Sequence, residues 1–162
     1  MSLTGKTSII TGGSDGIGRA IAAKLASEGA HVVICARNAD KLEAVAEDIR
    51  AAGGSVETRV QDVADTESFA AMIAEVASSK GLDILVNNAA HVGFGSVADA
   101  SLEDFRENFR VNVDATYAGM QAAIKAMSNN GGSIVNISSI NGDRAMPGMA
   151  GYSSSKAALL HL

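Results

Sequence analysis

The sequence predicts one doubly wound α/β domain, with helices covering both faces of a parallel sheet. Short β-rich apolar runs alternate with segments whose apolar residues recur every three to four positions. The connections between them are short, as crossovers between parallel strands require. The first apolar run feeds into a glycine loop, Thr11-Gly12-Gly13-Ser14-Asp15-Gly16-Ile17-Gly18, that opens a helix.

The elements follow in order. Residues 7–10 form the first strand. The helix after the glycine loop carries Ile17, Ile21 and Leu25 four apart and ends near Gly29, a suitable C-terminal cap. Residues 31–36 (H-V-V-I-C-A) read as a buried strand. Residues 40–52 form a helix with Leu42, Val45 and Ile49 on one face, stopped by Gly53-Gly54. Residues 55–60 alternate as a strand and lead to Gln61-Asp62-Val63. Residues 66–80 form a helix that turns Phe69, Met72, Ile73 and Val76 inward. Residues 82–86 form a strand running into Asn87-Asn88-Ala89-Ala90, and a glycine-containing loop covers residues 91–96. Residues 101–127 are helical, in one piece or two, until Gly131-Gly132. Residues 133–137 make a fifth strand, residues 138–150 a loop with the only proline, Pro147, and residues 151–162 a last helix.

Residues 1–162 therefore read as one domain with no repeat and no internal linker. The last helix reaches Leu162 with apolar residues and no cap, and the fifth strand would stand at a sheet edge. The expectation is a domain incomplete at its C-terminus, with its C-terminal strands missing, or one completed by a partner.

The totals exclude several functions. At 162 residues and 47% hydrophobic the chain can build a real core. A net charge of −5 argues against a general nucleic-acid or anionic-membrane binder. No signal segment opens the chain and no run reaches transmembrane length. The single Cys35 excludes an internal disulfide framework and reads as a buried, inert thiol. These observations predict a cytoplasmic protein without nucleic-acid or membrane partners. No metal site is predicted.

The chemistry should lie where the strands end, because doubly wound sheets bind ligands outside the carboxyl ends of their strands. A strand, a glycine loop and a helix N-terminus form a phosphate site: unpaired backbone N–H groups and the helix dipole favour an anion. Gly12 suits the tight turn, Gly16 the approach of phosphates, and Gly18 close packing of helix on strand. The spacing differs from the plain G-x-G-x-x-G, so the loop alone reads equally as a turn. The other strands end at Arg37, Asp62, Asn88 and Ser138-Ser139, on the same rim. Arg37 stands where a dinucleotide ribose would lie, and its guanidinium suits a 2′-phosphate. Asp15 adds a negative charge nearby; NADP(H) is favoured over NAD(H). Asp62 would accept from an adenine amino group, or share a helix cap with Asp65. Asn87 and Asn88 would tie neighbouring loops together, or simply turn the chain.

Tyr152 and Lys156 are four apart at the start of a helix and share a face. A phenol with a pKa of ~10 transfers protons poorly at neutral pH, and a nearby ammonium favours its phenolate. Ser139 just precedes this helix and can donate to a substrate oxygen. By itself the pair also reads as an exposed tyrosine and a solvated lysine.

Taken together, Thr11-Gly12-x-x-x-Gly16-Ile17-Gly18, Asp62, Asn87-Asn88-Ala89, Asn112, Ser139 and Tyr152-x-x-x-Lys156 resemble the short-chain dehydrogenase/reductase family, from Lys6 to Leu162. The resemblance implies a Rossmann fold and hydride transfer between a nicotinamide cofactor and a small-molecule ketone or secondary alcohol. It implies that Tyr152 is the general acid/base and that Lys156 assists it while binding the nicotinamide ribose. Ser139 would hold the substrate oxygen, with Ser138, on the opposite side of the strand, as its rival. Asn112 would position a water in a proton relay with Lys156. Cofactor contacts would come from Gly12, Ser14, Asp15, Gly16, Ile17 and Gly18. Further contacts would come from Arg37, Asp62 and Val63, from Asn88, Ala89 and Ala90, and from Tyr152 and Lys156. The family usually has Gly where Ala90 stands, and its members continue well past the Tyr-Lys helix to shape the substrate pocket. The resemblance also implies a homodimer or homotetramer, with Ala115, Ala118, Ala122 and Ala126 allowing close helix packing. Two other functions stand beside the oxidoreductase: a non-catalytic nucleotide-binding module and an inactive structural fragment.

Overall fold

Residues 2–162 are described by a computed structural model. The strands are β1 (Thr7–Thr11), β2 (His31–Ala36), β3 (Ser55–Val60), β4 (Ile84–Asn87) and β5 (Ser133–Asn136). The helices are α1 (Gly16–Ser27), α2 (Ala39–Ala51), α3 (Thr66–Lys80), α4 (Leu102–Phe109), α5 (Ala115–Ala126) and α6 (Ala150–Leu159). A π-turn at Arg110–Asp114 joins α4 to α5, and a 3₁₀ turn at Ile140–Gly142 precedes α6.

All four strand pairings are parallel, in the order β3-β2-β1-β4-β5. The order reverses between β1 and β4, so the loops leaving these two strands diverge and leave a crevice at the rim. Alternation along each strand feeds two core layers. Ile9, Val33 and Leu85 pack with Phe69, Ile73 and Val76 of α3 and with Ala115 and Ala123 of α5. Ile10, Val32, Ile34 and Val86 face the other way, onto Ala22 and Ala26 of α1 and Leu42, Val45 and Ile49 of α2. Both faces are covered, which is why the central strands read as unbroken apolar runs. Cys35 lies fully buried in β2, and burial pushes its thiol up to about 12.

Four of the helices begin where a short polar side chain caps them. Asp15 accepts the Gly16 N–H for α1, Asn38 the Lys41 N–H for α2, Asp65 the Ser68 N–H for α3, and Ser101 the Asp104 N–H for α4. Asp65 thus caps α3 alone, while Asp62 takes the Ala64 N–H at 3.0 Å in a local turn.

Three details differ from the sequence-based expectation, and the alanine stripe divides between core and groove. The buried line of α1 is Gly18, Ala22 and Ala26, with Ile21 and Leu25 beside it and Ile17 exposed. Small residues let this helix lie close to the sheet, so its largest side chains flank the contact. β4 starts at Ile84, because the Asp83 side chain is taken up by the Thr7 N–H and by Lys6. The 101–127 helix is one rod interrupted by the π-turn, where the Ala115 N–H reaches back to the Arg110 carbonyl. Of the alanine stripe, Ala115 belongs to the core, and Ala118, Ala122 and Ala126 border a groove against α3 of the same chain.

The loops after β1 and β4 are clasped together. The Thr11 hydroxyl, on a residue only 2% exposed, accepts the backbone N–H groups of both Asn88 and Ala89 at 2.9 Å. The Asn88 amide donates back to the Thr11 carbonyl at 2.9 Å and to the Gly12 carbonyl at 3.3 Å. Thr11→Val leaves two half-buried N–H groups without their acceptor, and its unfolding free energy in urea is expected to fall by about 1–3 kcal/mol. Thr11→Ser keeps the hydroxyl and is expected to lose only about 1 kcal/mol.

Candidate active site

The glycine loop meets the demands of an anion cradle. A Cβ on Gly18 would press into the Gly12 carbonyl oxygen and the Asn88 amide, so only glycine lets α1 start this close to the clasp. Gly16 has φ +51°, and nothing lies within 4 Å of where its Cβ would be. That open face lies at the N-terminus of a 12-residue helix, where unpaired N–H groups and the helix dipole favour an anion.

Beside the loop lies a cleft of about 290 Å³. Gly12, Ser14, Arg37, Asp62, Val63, Ala89 and Ala90, all among the candidate cofactor contacts, line it together with Asn38, Lys41, Gln61, His91 and Glu107. Asn88 does not reach the cleft, since its amide is spent on the clasp. Of the charged residues that line it, Lys41 pairs with Asp15 at 3.6 Å and Glu107 with Arg110 at 2.7 Å, while the His91 ring lies 3.3 Å from the Asp104 carboxylate. Accepting the Gly16 N–H beside Lys41 holds the Asp15 carboxyl below the usual carboxylate range. Arg37 is exposed and makes no ion pair among the described residues.

Tyr152, Lys156 and Ser139 lie outside this cleft, at the end of β5 and on α6. Lys156 is 3% exposed, and its Nζ donates to the Ile137 carbonyl at 2.7 Å and lies 5.8 Å from the centre of the Tyr152 ring. Burial pushes its ammonium down to about 8. Ser138 turns its hydroxyl to the back of α6 and donates to the Lys156 carbonyl at 2.9 Å. Ser139, next in the chain, accepts the Asn141 N–H at 3.2 Å and is half-buried. The two serines thus have different jobs, as alternation along an extended chain requires.

Asn112 sits in the π-turn, fully buried. Its Oδ1 accepts the His91 N–H at 2.8 Å, and its Nδ2 donates to the His91 carbonyl at 3.0 Å and to the Ser155 hydroxyl at 2.8 Å. Both amide protons are therefore used, and the side chain makes no direct bond to Lys156. It joins the wall of the cleft, through His91, to the helix that carries Tyr152.

Residues 6–162 match the family model described as short chain dehydrogenase. The chain belongs to this family. An uncharacterized oxidoreductase of Mycobacterium tuberculosis is 40% identical over 162 residues, 98% of this chain and 62% of that protein. A 3beta-hydroxysteroid dehydrogenase of Mediterraneibacter gnavus is 36% identical over 95% of this chain and 56% of its own length. The solved structure of a metagenomic short-chain oxidoreductase in complex with NADP superposes with a TM-score of 0.94 at 38% identity, covering 99% of this chain and 74% of that one. The chain thus spans about 60% of the length of those two curated relatives.

Several residues at the site have roles that no motif in the sequence marks. Thr11 stands at the start of the glycine pattern, and its hydroxyl closes the clasp. Lys41, four positions after Arg37, shares its side of the cleft, a spacing visible in the sequence. His91 and Ser155 carry no local signal, since their roles come from partners far along the chain.

The lysine of this site gives a pH signature. Its proton leaves the folded chain near pH 8 and an unfolded chain near 10.5. The unfolded state therefore binds more protons across that window, and the unfolding free energy rises with pH there. Below about pH 8 both states hold the proton and the slope is gone. Denaturation between pH 7 and 11 is expected to show this rise, and Lys156→Met is expected to remove it.

Proposed function

We propose that the protein is an NADP(H)-dependent oxidoreductase that interconverts a small ketone and its secondary alcohol. The observation that carries this is a buried ammonium, Lys156, one helical turn from the Tyr152 phenol and bonded to the end of β5. Costly burial of a lysine has a purpose when its charge serves a neighbouring proton donor. Short-chain dehydrogenase membership and the NADP-bound structural relative support it.

The residues present fit the cofactor. The open face at Gly16 and the α1 N-terminus suit the pyrophosphate, and Asp62 and Val63 suit the adenine end. Arg37, the cationic side chain of the wall that has no carboxylate partner among the described residues, suits a 2′-phosphate. Bound NADP(H) supplies or accepts the hydride.

The chain itself handles the proton. In reduction Tyr152 gives its phenolic proton to the carbonyl oxygen, and in oxidation it takes the proton back from the alcohol. Lys156, charged at neutral pH, stabilises the negative phenol oxygen left behind. Ser139 donates to the same substrate oxygen and fixes its approach. Asn112 contributes placement: a relay water would be held by groups it positions, since its own amide is fully used. The intact protein is proposed to be a cytoplasmic homodimer or homotetramer, with Tyr117 and Ile124 the exposed apolar residues of α5.

The test is turnover of NADPH with a ketone panel by the intact protein. Tyr152→Phe is expected to lower kcat by about 10²–10⁴ while NADPH still binds. Tight NADPH binding without wild-type turnover would make the protein a binding module instead.

Arg37 predicts the cofactor preference. Arg37→Ala is expected to weaken NADPH binding by about tenfold or more and to leave NADH nearly unchanged, as read by fluorescence titration. Equal losses for both would remove the 2′-phosphate assignment.

A further inference from the structure

We propose that Ser155 is a positioning residue of this site: its hydroxyl, held between the Asn112 amide and the Tyr152 carbonyl, sets how the Tyr152 helix sits against the cofactor cleft. In naming Tyr152 as the reacting group, this rests on the redox function proposed above.

Ser155 is fully buried inside α6. Its hydroxyl donates to the Tyr152 carbonyl at 2.8 Å. A helical serine often returns its proton to the preceding turn and does nothing more. Here the same oxygen also accepts the Asn112 amide at 2.8 Å, from an element 43 residues away. Asn112 in turn holds both backbone polar groups of His91, which lines the cleft. One hydroxyl thus connects the cleft loop, the π-turn and the backbone of the residue that would move the proton.

The helix has a second anchor on another side. Ser155 and Lys156 point about 100° apart around the helix axis. Lys156 is fixed to the end of β5, through its Nζ on the Ile137 carbonyl and through its own carbonyl on Ser138. Either anchor alone would leave α6 free to roll about the other, and the roll would swing the Tyr152 phenol. The two together fix its azimuth. Close packing at the start of the helix agrees: a Cβ on Gly151 would lie 3.0 Å from the buried Asn108 amide, one turn before Asn112.

The experiment compares Ser155→Ala, Asn112→Ala and the double variant in the intact protein, with circular dichroism confirming that each is folded. Ser155→Ala is expected to lower kcat about tenfold with the NADPH KM within about twofold, because misplacement costs rate more than binding. The double variant is expected to be no slower than Asn112→Ala, since both changes cut one link. A second readout needs no turnover. NMR titration of Lys156, with a midpoint of about 8 in the unaltered chain, is expected to move upward in Ser155→Ala as water reaches Nζ. Ser155→Thr, which keeps the hydroxyl, is expected to restore both midpoint and rate. An unchanged kcat or an unmoved Lys156 midpoint in Ser155→Ala overturns the proposal, as does a cost that adds in full to that of Asn112→Ala. Should the unaltered protein bind NADPH without turnover, the redox function falls by itself, and the Lys156 midpoint still decides whether Ser155 holds the helix.

Discussion

The clasp between the loops after β1 and β4 is the constraint on which the site depends. Parallel neighbours are joined only by distant crossovers, so nothing in the ladder itself fixes where their ends point. Here one threonine hydroxyl and one asparagine amide do so, through four hydrogen bonds across residues 11, 12, 88 and 89. The glycine loop is thereby held open for an anion. The chain leaving β4 is aimed at Asn112, which receives it at His91. Gly18 belongs to the same constraint, because any side chain there would strike the clasp.

From that point the structure is a sequence of polar joints laid over two apolar layers. The layers fix the sheet and its order. The joints fix what happens at the rim: clasp to His91, His91 to Asn112, Asn112 to Ser155, Ser155 to the backbone of Tyr152. Buried polar links of this kind are directional where apolar packing is not, and each is costly to leave half-made. That explains why buried asparagines gather here, with Asn87, Asn108 and Asn112 each 5% exposed or less.

Much of this was legible from the residues alone, and the limits have physical causes. Short apolar runs placed the strands, and a three-to-four-residue period placed the inward faces of α2 and α3, because burial on a regular element leaves a pattern. The pattern misled at α1, where alanine and glycine make the contact and Ile17 stays outside. Periodicity weights large side chains, whereas close approach selects small ones. The π-turn was equally invisible, since one extra residue per turn leaves no mark in composition. At the site, strand alternation implied that Ser138 and Ser139 point to opposite sides, and the two hydroxyls do have different partners. Motif spacing could not show that Asn88 is consumed beneath the loop, or that Ser155 receives a bond from residue 112. Such pairings exist only once the chain is folded.

The lone thiol carries a consequence of its own. Cys35 sits at the rim end of β2, against the cleft yet without any exposed surface. A disulfide reagent can reach its sulfur only when the second strand comes away from its neighbours. With no other thiol to compete, the labelling rate reports how often the floor of the cleft opens in the native state. A molecule filling the cleft would slow that reaction by the factor with which it binds the closed form, so occupancy becomes readable by mass spectrometry without any chemistry at the tyrosine.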